Sequence, residues 1–445
     1  MEQSVRQLWW YAMALLLLLG VFGEVCLLTS CRYRWGQDTS SIVLFIASFV
    51  VGAVLLILSF IPAPAPRTPR KYRPGWVSIA AWVFVVVLLA LPVIQAAWHK
   101  FPVDYSDPSQ SDIIPQIYVL LDRFWHGINP YLVINEWGYD LSPTYLPFTW
   151  LPFSVPYAFG LDFRMYAFGM FLIGVVVSIK YWQPGWIGIF VGCAYLFLWL
   201  RMVAIFDDIV YGVTVEWMIA GCYLLFLASW RSRSVWFQAL TLSACLLSRY
   251  ALIFWLPMFA LYLWNLRSRK HVLKGVAIVA GTVLVLYVLP FWLRDPGSFT
   301  RGLAHHQRAA LAEWHGQPWQ DDMNKPYTLY KGVGLANRFF ESSETPVENR
   351  LKRLQRTQIA LLMGWVALSM LLYWRTVRKM IHPTYFVWGS FKIYLALFYH
   401  LLQLPYTYLF VVLVAINIPI LVRIFRDRGI VDQATLPVPA PTPTV

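Results

Sequence analysis

Long apolar stretches, separated by short polar or basic turns, occupy most of this chain. A helix that crosses a bilayer needs about 20 mostly apolar residues, and twelve stretches reach or approach that length. Two of them, 235–248 and 251–266, are short enough to form a hairpin that does not fully cross, so the pattern predicts ten to twelve crossings. The predicted spans are residues 8–30, 40–62, 76–98, 163–182, 185–202, 210–229, 235–248, 251–266, 272–292, 357–374, 383–402 and 406–424.

The composition excludes an ordinary soluble domain. Of the 445 residues, 59% are apolar and 13% are charged, whereas soluble domains carry about 25% charged residues. The net charge of +14 is divided among short loops, so it does not indicate a nucleic-acid-binding surface, and we expect no nucleic-acid partner. The five cysteines form no CxxC pair, so the sequence predicts neither a zinc site nor a disulfide framework. We therefore expect an all-α polytopic membrane protein.

Basic residues recur at alternate ends of the predicted spans. Cytoplasmic loops of membrane proteins carry an excess of Lys and Arg, and these basic clusters all fall on one side if both termini are cytoplasmic. The long segments 101–162 and 293–355 then both lie outside. The clusters consist of Arg67, Arg70, Lys71, Arg73, Arg231, Arg233, Arg267, Arg269, Lys270, Lys274, Arg375, Arg378, Lys379, Arg423, Arg426 and Arg428.

The same patterns divide the chain into consecutive parts. Two N-terminal spans and a basic cytoplasmic linker precede a core whose first large outer loop is 99–162. An extracytoplasmic loop, the C-terminal spans and a Pro-rich tail that we expect to be disordered follow the core. The two N-terminal spans are residues 1–62, the linker is 63–75 and the core is 76–292. The extracytoplasmic loop is residues 293–356, the C-terminal spans are 357–428 and the tail is 429–445.

The first outer loop concentrates acidic residues, prolines and aromatic residues in an otherwise apolar chain. Apolar residues at helical spacing within 112–126 predict a short amphipathic helix that lies at the outer interface. Residues 143–158 contain four prolines, so they cannot form one regular helix and instead predict a second interfacial element. A lipid-embedded protein gains little from such a polar loop unless it faces water, which indicates chemistry at the membrane surface.

Three carboxylates of this loop, Asp104, Asp107 and Asp112, lie just past the outer end of the third span. A carboxylate there can take a proton from an acceptor hydroxyl when burial and neighbouring groups adjust its pKa. Asp112 is the first candidate for this role, followed by Asp107 and Asp104. The alternative is ordinary local structure, in which Asp107 forms a turn beside Pro108 and Asp112 only caps its helix.

A set of motifs in this loop resembles a known family. After Asp112 and Tyr118 come the turn Gly127-Ile128-Asn129-Pro130-Tyr131 and the segment Pro143-Thr144-Tyr145-Leu146-Pro147. Together they resemble the first outer loop of bacterial glycosyltransferases of the GT-C superfamily, and most closely glycosyltransferase family 87, which comprises mannosyltransferase-like membrane proteins. The resemblance covers about residues 76–290.

The resemblance implies a GT-C-like helical bundle in the bacterial plasma membrane. It implies inverting transfer of a hexose such as mannose from a polyprenyl-phosphate donor to a glycan, lipid or protein acceptor outside. The loop aspartate would act as general base, and Tyr118, Asn129, Tyr131 and Tyr145 would contribute to substrate binding. No cofactor is expected, and no metal site is predicted because Asp104 and Asp107, three residues apart, do not form a tight acidic pair.

A polyprenyl-phosphate donor requires cations that stabilise its phosphate as the leaving group. Arg249, between two short apolar runs, is one candidate, and snorkelling to the interface is its alternative. His305, His306 and Arg308 lie on a helix-like stretch of the second outer loop, and Lys392 lies in the middle of a predicted span. Each is a candidate for substrate binding, although Lys392 could equally form an internal ion pair.

Two other classes of function stay open from the sequence. A transporter or flippase of lipid-linked sugars would favour broken helices and charged residues near the bilayer midplane. A non-catalytic subunit of a complex that assembles envelope glycans would share the same membrane architecture. The concentration of acidic residues in one loop favours the enzyme.

Overall fold

The computed structural model describes residues 2–28, 37–62, 75–100, 103–109, 111–182, 185–203, 212–316, 325–342 and 345–425. Nearly all of them lie in helices or in the turns between helices, and an antiparallel bridge between Ile134 and Leu141 is isolated. The predicted linker 63–75, apart from Gly75, and the predicted tail 429–445 lie outside the described residues. The all-α class is therefore confirmed for the described part of the chain.

Each predicted span is mostly helical in its described part, and several end in a turn before the predicted boundary. The helices that contain these spans are α1 (Glu2–Cys26), α2 (Gln37–Leu58), α3 (Trp76–Lys100), α7 (Phe163–Trp182), α8 (Trp186–Val203), α9 (Gly212–Ser229), α10 (Val235–Leu246), α11 (Leu256–Leu266), α12 (Arg269–Val283), α16 (Val347–Thr376), α17 (Pro383–His400), α18 (Val411–Ala415) and α19 (Asn417–Ile424). The connections contain α4 (Ile113–Trp125), α5 (Pro147–Trp150), α6 (Ser154–Phe159), α13 (Gly297–His315), α14 (Tyr327–Lys331) and α15 (Ala336–Glu341).

Seven helical segments of the described chain are long and apolar enough to cross a membrane, and four shorter helical segments are also apolar. The remaining predicted span corresponds to α17, which carries Lys392 and several polar aromatic residues and is buried along nearly its whole length. The chain is thus a multi-pass membrane protein. Its central helices, α9 and α17, are enclosed by protein, whereas α12 and α16 leave most of their apolar side chains exposed.

Close contacts between backbones hold the centre of the bundle together. At the crossing of α7 and α9, a Cβ atom on Gly221 would lie only 2.9 Å from the carbonyl oxygen of Met170, and one on Gly174 would lie 2.8 Å from that of Gly221. Small residues allow helices in membranes to approach this closely. Aromatic side chains, including those of Trp230, Trp255 and Phe391, pack against one another in the same core.

Several connections differ in detail from the sequence prediction. A 3-10 segment, Tyr250–Trp255, precedes α11, and a π-helical segment, Leu284–Trp292, continues α12. Helix α16 begins at Val347, ten residues before the predicted span at 357. The second outer loop is also mostly helical, and α13, α14 and α15 form a small hydrophobic core with the start of α16.

Hydrogen bonds join the basic turns at the predicted cytoplasmic end. The guanidinium of Arg267 donates to the carbonyl of Ser232 at 3.0 Å. The amide of Ile381 donates to the carbonyl of Ser59 at 2.9 Å, which connects the end of α2 to the start of α17. The two predicted outer loops lie at the opposite end of the bundle, where they meet around a cavity.

Candidate active site

A cavity of about 760 Å³ opens at the end of the bundle that carries the long loops. Its wall combines both predicted outer loops with the outer ends of α9 and of the helices near the C-terminus. The lining is rich in hydroxyl, amide and imidazole groups. The residues that contribute most of this polarity are Ser111, Asp112, Gln116, Ser142, Thr144, His305, His306, Thr328, Gln403 and Thr407.

Asp112 lies in this wall, at the N-terminus of α4. The helix is fixed because its apolar face, including Ile114, Ile117 and Leu120, is buried against the core. The carbonyl of Asp112 accepts the amide N–H of Gln116 at 2.8 Å, but its carboxylate accepts no capping hydrogen bond from the helix. Asp112 therefore occupies the N-cap position without capping the helix through its side chain, and it lines the cavity.

The surroundings of Asp112 suit a proton acceptor. Burial raises the pKa of the Asp112 carboxyl, and its own backbone N–H and the nearby His305 only partly oppose this effect. Burial likewise lowers the pKa of His305 and that of His306. A carboxylate with a raised pKa is a better base than one in water, and a cavity wall is where such a group meets substrate.

The other two candidate aspartates have local roles. The carboxylate of Asp104 accepts the backbone N–H of Ser106 at 2.8 Å and the hydroxyl of Ser106 at 2.6 Å. Asp107 repeats this arrangement with the N–H and hydroxyl of Ser109, at 2.8 and 2.7 Å. Both side chains are exposed, and neither lines the cavity. The structure places them in consecutive Asx turns, as the alternative interpretation of Asp107 predicts.

A smaller pocket of about 280 Å³ adjoins the cavity. Thr144, Tyr145 and His306 line both spaces and form the boundary between them. The pocket is otherwise mostly apolar and aromatic, with Arg249 in its wall. The cavity thus lies beside a more apolar pocket, with a carboxylate in the wall of the first and a guanidinium in the wall of the second.

Arg249 is held by an ion pair that the sequence did not predict. Both terminal nitrogens of its guanidinium donate to the two carboxylate oxygens of Glu216, and the Nη1–Oε2 distance is 3.0 Å. The ring centroid of Tyr399 lies 6.0 Å from the guanidinium carbon. The three residues are far apart in sequence, so only the packing of α9 and α17 around the 247–250 turn brings them together.

The residues that resemble the family motif have different positions in the structure. Tyr131 and Tyr145 line the pocket, and the hydroxyl of Tyr131 donates to the carbonyl of Tyr145 at 2.9 Å. Asn129 accepts the backbone N–H of Tyr131 at 3.1 Å through its side chain, so it shapes the turn. Tyr118 lies elsewhere, against the rings of Tyr105 and Tyr157.

Two further candidates lie outside both spaces. Arg308 is exposed on α13 and lines neither the cavity nor the pocket. Lys392 is fully buried in the middle of α17, where its ammonium group lies 2.8 Å from Oε1 of Glu24 and donates to the carbonyl of Leu413 at 2.8 Å. The structure thus places Lys392 in an internal ion pair, the alternative that the sequence left open.

Sequence reasoning missed several polar groups of the cavity. Gln116 is one turn after Asp112 and shares its face of α4, a spacing that could have identified it. Thr328, Gln403 and Thr407 come from distant segments and carry no such local signal. Within the described residues, no group of three or more His, Cys, Asp or Glu side chains is arranged to hold a metal ion.

The chain matches no protein-family model, and it shows no significant similarity to a curated protein or to a solved structure. Its function is therefore inferred from the residues of the site itself.

Proposed function

We propose that this chain is an integral-membrane glycosyltransferase of the GT-C type, similar to glycosyltransferase family 87. It transfers a hexose from a polyprenyl-phosphate donor to an extracytoplasmic acceptor with inversion, in the plasma membrane of a bacterium with both termini in the cytoplasm. The observation that carries the proposal is the position of Asp112, which lines a large cavity with many polar side chains, directly beside a more apolar pocket that contains Arg249.

The proposed reaction requires one base and one stabilised leaving group. A hydroxyl of the acceptor attacks the anomeric carbon, and the Asp112 carboxylate takes the hydroxyl proton. A new bond forms between the anomeric carbon and the acceptor oxygen while the bond to the phosphate oxygen breaks, and polyprenyl phosphate leaves with the bonding electrons. The negative charge that develops on the phosphate is stabilised by Arg249.

The arrangement of the two spaces supports this division of roles. A sugar and its acceptor are polar and match the hydroxyl and amide groups of the cavity, whereas an isoprenyl chain matches the apolar pocket. The bond that breaks would then lie at the boundary formed by Thr144, Tyr145 and His306. Both oxygens of the Glu24 carboxylate, deep in the bundle, are engaged by Lys392 and Asn417, an arrangement that favours chemistry at one face over transport across the membrane.

The test is the loss of transfer in the Asp112→Asn variant. The asparagine keeps the shape of the side chain but cannot accept the proton, so transfer should fall by about 10²- to 10⁴-fold. Purified protein in liposomes is supplied with radiolabelled polyprenyl-phosphate-mannose, and envelope extract provides acceptors. Transfer of label and release of polyprenyl phosphate are both measured.

The matched control is Asp107→Asn, which makes the same substitution at an exposed carboxylate of the same loop that does not line the cavity. It should keep transfer within about twofold of the original protein, since the role of Asp107 is confined to a surface turn. Full transfer by the Asp112→Asn variant would remove Asp112 from the role of base. A requirement for a soluble nucleotide sugar would contradict the proposed donor.

A further inference from the structure

Glu216 lies directly behind the cation of the apolar pocket. It belongs to the second turn of α9, and its side chain is only 1% exposed. Its two carboxylate oxygens bind both terminal nitrogens of Arg249, and such a two-point pair fixes the plane of the guanidinium as well as its position. A single carboxylate thus determines the direction in which the arginine presents its remaining donors.

Arg249 has further donors besides the two that bind Glu216, and its side chain lines the pocket. A guanidinium carries five N–H groups, and the two-point pair with Glu216 uses one on each terminal nitrogen. Arg249 lines the pocket, as do Val215 and Ile219 on either side of Glu216 along α9, whereas Glu216 itself lines neither the pocket nor the larger cavity. The Arg249 side chain remains 19% exposed, so its outward edge can reach a ligand.

The rest of the pocket defines the kind of ligand that this edge can bind. Tyr287, Phe299 and Leu303 provide an apolar and aromatic wall, and Ser248 and Ser298 add polar groups to the lining. An arginine fork matches the oxygen geometry of a phosphate, and the apolar wall matches a hydrocarbon chain. An ester of phosphate with an apolar alcohol satisfies both surfaces, whereas a neutral alcohol satisfies only one.

We infer that Glu216 is a positioning residue that orients Arg249 toward a phosphate ester bound in the pocket. Glu216 balances the arginine charge while this phosphate subsite is empty, and it holds the guanidinium in the geometry that a phosphate requires. The identification of the ester with an isoprenyl donor rests on the proposed function, whereas the anion subsite itself does not.

Binding is measured on the full-length protein in nanodiscs of neutral lipid, without any transfer reaction. The probes are citronellyl phosphate, its uncharged alcohol citronellol, and inorganic phosphate, followed by quenching of tryptophan fluorescence. Glu216→Gln should weaken the binding of citronellyl phosphate at least tenfold and leave the binding of citronellol unchanged. Arg249→Gln should show the same selective loss, and Asp107→Asn should bind all probes as the original protein does.

Each other outcome has a definite meaning. Equal or tighter binding of citronellyl phosphate by Glu216→Gln would show that the carboxylate competes with the ligand and would overturn the inference. A parallel loss of both citronellyl probes would indicate a merely structural role and would also overturn it. Equal affinity for inorganic phosphate would keep the subsite but overturn its assignment to an isoprenyl ester.

A second variant protects the test if Glu216→Gln does not fold. Arg249→Lys keeps the buried ion pair but replaces the planar fork by a point charge. The inference predicts at least a tenfold loss of citronellyl phosphate binding in this variant, and retention of binding within twofold would contradict it. If the proposed transfer fails while this selective binding persists, the subsite stands and only the enzymatic assignment is lost.

Discussion

The ion pair between Lys392 and Glu24 provides a sharp test of which buried charges serve structure. The ammonium of Lys392 lies 2.8 and 2.9 Å from the two oxygens of Glu24, and both side chains are 0% exposed. Asn417 donates to the same carboxylate, and Leu413 accepts from the ammonium. The perturbation is Lys392→Met, which removes the cation and keeps a side chain of similar length.

The expected cost follows from what the substitution leaves behind. Among the described residues, Glu24 would keep Asn417 as its hydrogen-bond donor but would lose its cation. Breaking a buried pair in this way costs about 3–5 kcal/mol. Combining Lys392→Met with Glu24→Gln removes both charges, and the glutamine oxygen can still accept from Asn417. The double variant should therefore lie within about 2 kcal/mol of the original protein, even though each substitution removes an interaction.

The assay is the free energy of unfolding in mixed micelles, obtained from an SDS titration of all four members of the double-mutant cycle. The double variant, once it is stable, should also transfer sugar normally, because Lys392 lines neither the cavity nor the pocket. A single variant as stable as the original protein, or a double variant that loses the sum of the two single losses, would refute the reasoning. Loss of transfer by a stable double variant would return Lys392 to the list of substrate-binding residues.

Two further predictions concern helix packing and pH. Gly221→Ala should destabilise the protein by about 1–3 kcal/mol in the same titration, since the added methyl group would press on the backbone of α7, whereas Gly169→Ala, with open space around its Cβ, should be neutral. Because burial raises the pKa of Asp112 and the base must be ionised, transfer should decline on the acid side at a pH above the usual carboxyl range. Since His305 lowers that pKa, His305→Gln should move the decline to higher pH in a pH–rate profile, and a shift to lower pH would contradict the assignment of the base.

The local parts of this fold could be predicted from the sequence. The apolar stretches correspond to helices because a membrane-spanning segment must satisfy its backbone hydrogen bonds within itself, which makes composition and length sufficient evidence. Helix α4 was expected at 112–126 and occurs at Ile113–Trp125, since its apolar period is strong. The four prolines of 143–158 were expected to prevent a single helix, and they divide the segment into α5, a 3-10 turn and α6.

The pairing of charges could not be predicted in this way. Glu216 and Arg249 are 33 residues apart, and Lys392 and Glu24 are 368 residues apart. Helical spacing predicts which residues share one face of a helix. It does not predict which other helix that face contacts. The boundary of α16 was missed for a different reason, because its first ten residues are mostly polar or charged and belong to a helix that begins before the apolar stretch does.

The ion pairs Arg249–Glu216 and Lys392–Glu24 look alike in sequence, because each joins a basic and an acidic residue of apolar stretches. Their surroundings in the structure nevertheless indicate different roles. The Lys392 side chain is fully buried, and its ammonium already contacts the Glu24 carboxylate and the Leu413 carbonyl. Any ligand would first have to break these interactions. Arg249 is anchored on one edge by Glu216 and is open on the other toward a pocket. A cation that is held firmly but still accessible can bind an anion without the cost of reorientation, which is the general requirement for stabilising a leaving group. Exposure to a cavity, more than depth in the bundle, therefore separates the charge that can act on a substrate from the charge that holds the helices together.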